Sequence, residues 1–332
     1  MVNLTLKNSL CLFIIIVSLS CQNAYTQGAL VPQTADQDPR IPAIALNISG
    51  HRRLVHIETF GNPSDPAVLV LHGSLGDFRA LKPLKALAES GYYLVFWDQR
   101  GNGLSERITE SEYTEESILA EIDAIAAYFS PGKPFRMVGH SFGAMYTSLY
   151  LSVHPERVLQ AVLIEPGGLN GDIFTKTFKD IININLLDPK MNSLFWAGEH
   201  IAPQNHESAD YLALMMLLNG KQMNYHPDPD RPCPWPVWRP GAYVEIWRNN
   251  ILGSDATGSR FSYDFARGAA SYPKPVLFIG GTGSALGAEY QRKHHVPLFP
   301  NGASVVSIPG TGHRLVQENP DASIKAILGY FK

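Results

Sequence analysis

The stretch that decides the fold is Phe135-Arg136-Met137-Val138-Gly139-His140-Ser141-Phe142-Gly143-Ala144. Phe135–Val138 reads as a buried strand, and from Ala144 to Ser152 the apolar positions take up helical spacing. Between them lies G-x-S-x-G, from Gly139 to Gly143. A sharp strand-to-helix turn leaves no room for side chains two places before and two after its serine, which accounts for both glycines. Such a turn holds the Ser141 hydroxyl clear of the sheet, at a helix N-terminus where backbone N–H groups favour developing negative charge.

Outward from this turn, short apolar runs alternate with helical periods. Ile44–Ile48 and Leu54–Phe60 read as an antiparallel pair around Gly50, and Ala67–Leu71 is a continuous apolar run suited to a strand buried on both faces. Residues 78–90 carry Leu81, Leu84 and Leu87 at helical spacing, Tyr92–Trp97 is a strand, and Thr114–Phe129 is a helix with Ile118, Leu119, Ile122 and Ile125 on one face. Strand 158–164 follows the elbow helix, and strand and helix alternate again through 275–279, 304–308 and 320–331. This order predicts an α/β fold with a doubly wound, mostly parallel sheet.

Three further motifs agree with the serine turn. Leu71-His72-Gly73-Ser74 closes a central strand. Asp98-Gln99-Arg100-Gly101-Asn102-Gly103-Leu104-Ser105 follows the next one, and Pro309-Gly310-Thr311-Gly312-His313 follows the last. Together they resemble the α/β-hydrolase-fold serine hydrolases, in the branch of the esterases and proline iminopeptidases, over residues 43–332. The resemblance implies Ser141 as nucleophile and His313 as its base. It also implies an oxyanion hole of backbone N–H groups from Phe142 and Ser74, with Leu75 as an alternative second donor. Asp98 and Arg100 are expected to pin loops, and His72 and His140 to serve backbone geometry and packing.

The third member departs from the commonest family pattern. The turn after the seventh strand usually carries an aspartate; here it reads Gly281-Thr282-Gly283-Ser284, and serine cannot stabilise an imidazolium. A subset of the family places its acid at the end of the sixth strand, which Glu165 occupies in Val162-Leu163-Ile164-Glu165-Pro166. A glutamate ending a buried apolar strand is costly unless paired, and that favours Glu165 with His313 as its partner. Glu289 is the alternative acid, and a serine–histidine dyad or another acid is the third reading. Dehalogenation is disfavoured because it needs a carboxylate nucleophile.

Alternation breaks from Gly167 to Tyr272. A structureless loop of that length does not suit a compact domain, so residues 167–272 are expected to form a mainly helical cap inserted into a core of 43–166 and 273–332. This segment holds four of the five tryptophans and six prolines between Pro227 and Pro240. Its aromatic content points to an apolar ester as substrate. Proline-iminopeptidase-like cleavage of peptides is the alternative, with Glu199, Glu207 and Asp210 available for a terminal amine. A non-catalytic binding protein on the same fold is a third reading, favoured only by the serine at position 284.

The remaining features bound location and partners. Lys7 followed by the apolar run Leu10–Leu19 is too short to span a bilayer, since ten residues of helix rise only about 15 Å. Residues 1–20 therefore read as a signal peptide, and Ser18-Leu19-Ser20-Cys21 resembles a loose bacterial lipobox with Cys21 lipidated. Residues 21–42 read as a tether. The expected location is outside the cytoplasm, either as a cell-envelope lipoprotein or as a periplasmic or secreted protein. Cys233 is then the only cysteine inside the folded part, which excludes a disulfide framework. A formal charge of −3 gives no electrostatic reason to expect nucleic acid. The expected partners are a small-molecule substrate and, through the lipid alone, a membrane. No dinucleotide, phosphate-loop or metal-ligand pattern appears, so no cofactor is expected.

Overall fold

The computed structural model describes residues 33–74, 76–181, 250–257 and 259–332. The expectations for the signal peptide, Cys21, Leu75, the cap tryptophans and prolines, Cys233 and the three cap acids fall outside these residues. Eight strands form one sheet: β1 (Ala43–Ile48), β2 (His51–Phe60), β3 (Ala67–Leu71), β4 (Tyr93–Trp97), β5 (Phe135–His140), β6 (Val158–Ile164), β7 (Val276–Gly281) and β8 (Ala303–Ile308). Their order is β1-β2-β4-β3-β5-β6-β7-β8. β1 and β2 are antiparallel to their neighbours and every pairing from β4 onward is parallel. The sheet is thus the mostly parallel, doubly wound one that the alternation implies.

Two hydrophobic layers cover its faces, and the two-residue period of a strand assigns side chains to them. Leu69 and Leu71 of β3 face α1 (Glu115–Phe129) and α2 (Phe142–Val153), while Val68 and Val70 face the 3-10 segment Phe78–Ser90 and α6 (Pro320–Phe331). α1 starts where Thr114 and Ser117 cap each other's backbone N–H groups, and it buries Ile118, Ile122 and Ile125. Segment 78–90 is helical as its spacing implies, but it is wound as a 3-10 helix throughout. Leu81, Leu84 and Leu87 recur every third residue, which matches three residues per turn, and Pro83 within it has no N–H for an α-helical bond.

The turn from Asp98 to Ser105 binds neighbouring loops through buried polar groups. Asp98 accepts the backbone N–H groups of Phe78 (3.0 Å) and Leu104 (2.8 Å) and meets His56 Nδ1 at 2.8 Å. Burial pushes its carboxyl up, but His56, His72 and the Leu104 N–H together outweigh this and leave it below its usual range. Arg100 donates from Nε to Glu121 (2.7 Å) and from Nη2 to the Ser117 carbonyl (2.9 Å). Glu121 also accepts from Trp97 Nε1 (3.0 Å). Both charges of this pair are buried. Removing one partner strands the other, so Arg100→Met is expected to destabilise the protein by about 3–5 kcal/mol, while the double change Arg100→Met/Glu121→Leu recovers most of the loss. Urea unfolding of the two variants checks this.

Candidate active site

Ser141 sits between the end of β5 and the start of α2 with φ 55° and ψ −117°, a conformation that costs a non-glycine residue about 1–3 kcal/mol. The flanking glycines are there for space. A methyl at Gly139 would stand 2.2 Å from the Gly143 carbonyl oxygen, and one at Gly143 would stand 2.2 Å from that of Leu71. Both obstacles are backbone, so neither can swing aside. The Ser141 N–H donates to the Ile164 carbonyl at 2.8 Å, which ties the turn to the end of β6. On the other side the segment His72-Gly73-Ser74 passes directly over it: a Cβ on Gly73 would lie 2.9 Å from the Cβ of Ser141. Ser74, half-buried, follows in that segment, and Phe142 is the first residue of α2.

Glu165 is the first residue after β6, fully buried, with φ +44°. Its own N–H donates to the Ile279 carbonyl (3.0 Å), and Oε1 accepts the N–H of Gly281 (2.6 Å). Oε2 accepts the hydroxyl of Ser284 (2.6 Å) and faces Nδ1 of His313 at 2.7 Å. With donors on both oxygens, the carboxylate acts as acceptor throughout. The His313 proton therefore belongs on Nδ1, and Nε2 is left as the basic nitrogen. The structure brings His313 together with Glu165; Glu289 lies exposed in the first turn of α4, the helix Ala288–His294 that follows the short segment after β7.

The two other histidines beside the turn are committed elsewhere. His140 Nε2 donates to the backbone carbonyl of His313 (2.8 Å), their rings 4.6 Å apart, so the residue preceding Ser141 braces the loop that carries His313. Burial, helped by the neighbouring His313, holds His140 down to about 3, and it stays neutral. His72 accepts the Gln99 N–H on Nε2 (3.0 Å), so Nδ1 carries the proton and donates to the Gly73 carbonyl (2.7 Å). Burial keeps this ring neutral as well. The turn 98–105 thereby holds segment 72–74 in place.

Three residues here escape the sequence reading. Ser284 reads as a missing acid, yet it donates to the acid that stands in for it. The signal was the buried carboxylate at 165, which needs donors that only adjoining loops can supply. The other two are Gln291 and His295, both fully buried. Gln291 Nε2 donates to the carbonyls of Pro166 (3.1 Å) and Leu286 (2.7 Å), and its Oε1 accepts from His295 Nδ1 (2.5 Å). His295 Nε2 in turn accepts the Leu169 N–H (3.3 Å). This pair clamps the chain just beyond Glu165. There the chain leaves the sheet through α3 (Gly171–Ile181) and is met by the returning segment at the Asn170–Asp264 bridge. Phe142 closes the nucleophile's side with its ring on Phe174 (6.0 Å), which packs edge-on against Phe261 (4.9 Å). Among the described residues no group of three His, Cys, Asp or Glu side chains could hold a metal ion.

Ser141 thus stands at a strained strand-to-helix turn, and the adjoining His140 meets the carbonyl of His313, whose ring is paired with the buried Glu165 carboxylate. The chain belongs to the alpha/beta hydrolase fold family, whose model matches residues 66–320. It is 24% identical to 2-(acetamidomethylene)succinate hydrolase of Mesorhizobium japonicum, an alignment covering 80% of this chain and 88% of the relative. Other curated relatives, among them proline iminopeptidases, align over about a third of this chain. Among solved structures, proline iminopeptidase of Mycobacterium smegmatis superposes with a TM-score of 0.61 at 17% identity, covering 87% of this chain and 97% of that one. A thermophilic esterase from Thermogutta terrifontis superposes with a TM-score of 0.58 at 14% identity, covering 87% and 97%. At these identities the structures testify to the fold.

Burial also holds His295 down to about 3 against 6.5 for an open imidazole. A depressed pKa favours the neutral ring in the folded state. The stabilisation is thus complete above pH 6.5 and lost as pH falls toward 3. His295→Gln is expected to flatten the acid side of the stability–pH curve by about 1 kcal/mol per pH unit, read from urea unfolding at a series of pH values.

Proposed function

We propose that the protein is a serine hydrolase that cleaves a small, apolar carboxylic ester through an acyl-enzyme. Ser141 Oγ attacks the ester carbonyl while His313 Nε2 takes its proton. Glu165 holds the Nδ1–H of His313 and stabilises the imidazolium that forms. The N–H groups of Phe142 and Ser74 receive the oxyanion, His313 returns the proton to the departing alcohol, and water then repeats the sequence to release the acid. The observation that carries this reading is the 2.7 Å contact between His313 Nδ1 and a fully buried Glu165, on a loop that His140, the residue before a serine at positive φ, holds by the His313 carbonyl. The aromatic packing of Phe142, Phe174 and Phe261 next to that serine favours an apolar acyl group.

Proline-iminopeptidase-like aminopeptidase activity is the second reading, favoured by the Asp98–Ser105 turn and by the relatives of that name. Hydrolysis of p-nitrophenyl esters against proline p-nitroanilide separates the two, with ester turnover expected to dominate. Labelling by a fluorophosphonate probe is expected in the parent and absent in Ser141→Ala; an unlabelled parent would instead support a binding protein on this scaffold. Glu165→Gln should lower kcat by about 10³–10⁴-fold with the fold intact, since the imidazole loses its tautomer and its counter-charge. Glu289→Gln should stay within about twofold of the parent, as expected of an exposed side chain. Near-parental turnover of Glu165→Gln would remove Glu165 from the mechanism.

A further inference from the structure

We propose that Ser284 is a positioning residue of the hydrolytic machinery: its hydroxyl holds Glu165 Oε2 for His313 and moderates the negative charge that His313 feels. The inference rests on the assignment of Glu165 and His313 above. Ser284 Oγ lies 2.6 Å from Oε2, the same oxygen that meets His313 Nδ1 at 2.7 Å. Its direction is set from the other side, because Oγ accepts the Leu286 N–H at 3.2 Å and so turns its own proton toward the carboxylate. The turn that carries it is fastened to the histidine loop: Gly283 N–H donates to the Thr311 carbonyl (2.8 Å), and Gly287 N–H donates to the Ser284 carbonyl (3.0 Å). The approach is close enough that a methyl on Gly281 would stand 2.3 Å from the Thr311 oxygen. Ser284 therefore moves with His313 and Glu165 as one unit.

The chemistry gives this hydroxyl a role that packing alone would not. A carboxylate oxygen shared between two donors is a weaker partner for either of them. While Ser284 donates, His313 meets only part of the charge on Oε2, and the carboxylate is held at a fixed angle to Nδ1 when Nε2 must take the Ser141 proton. Without it, Oε2 gives its whole charge to His313. The carboxylate is then oriented only by the Gly281 N–H on Oε1 and by His313 itself on Oε2.

The test is the pH dependence of kcat/KM, whose acid limb reports the free enzyme's base. Ser284→Ala is expected to move that limb upward by about 0.5–1 pH unit and to lower kcat about tenfold with KM unchanged, the scale of one hydrogen bond to a charged group. Ser284→Cys, similar in size but a weak donor, should move the limb in the same direction by less. Both variants should melt within a few degrees of the parent. If both keep the parental acid limb, the assignment of Ser284 is overturned, whatever happens to kcat. Glu165→Gln measured alongside keeps the two readings apart. A collapsed Glu165→Gln with parental limbs at position 284 removes Ser284 alone, whereas a parental Glu165→Gln removes the acid and with it this proposal.

Discussion

Everything at the site depends on how closely β5 and α2 cross at Ser141. The backbone of Gly143 lies against Leu71 of β3, and Gly139 lies against Gly143 itself, at distances that exclude even one methyl group. This contact forces Ser141 into positive φ, and the same contact stacks the oxyanion segment over it. The strain is carried by parallel strands paired on both sides of β5 and by two apolar layers, one on each face of the sheet. A rigid two-layer core is what allows a costly local conformation to persist.

Around that crossing, the loops at the strand ends are held by buried polar groups rather than by apolar contact. His72 and Gln99 join segment 72–74 to the turn after β4, and His140 joins the Ser141 turn to the loop that carries His313. Glu165 and Ser284 then join the ends of β6 and β7. Loops at the ends of strands cannot bury much apolar surface, so directional hydrogen bonds must set their geometry. The buried histidines serve this well because a neutral imidazole offers one donor and one acceptor at fixed angles. His72 uses both, and so does His295.

Much of this was legible in the residues themselves. The runs 67–71 and 158–164 coincide with β3 and β6; β3, buried on both faces, leaves an unbroken apolar signature, and β6 is interrupted only by the half-buried Gln160. β2 begins earlier than its pattern implies because His51 and Arg52 pair in the hairpin while remaining exposed, so their polarity hides the strand. β5 runs on through Gly139 and His140 because its ladder with β6 extends to the residue before the nucleophile. The pairing of Glu165 with His313 could be anticipated from the cost of a lone buried carboxylate. Ser284, Gln291 and His295 could not, because their partners lie more than a hundred residues away for the contacts that matter. A single hydroxyl or amide leaves no periodicity from which to read such a partner.

The clamp formed by Gln291 and His295 has a consequence for how this scaffold can change. It fixes Pro166 and Leu169 immediately before the chain departs, and the Asn170–Asp264 bridge brings the outgoing and returning strands of chain to one point. The acid is thus mechanically insulated from whatever follows it, although it is only five residues away in sequence from that point. Closing a loop whose ends are already pinned together costs little more as the loop lengthens. Insertions and exchanges beyond residue 170 can therefore be accommodated while Glu165 and His313 keep their geometry.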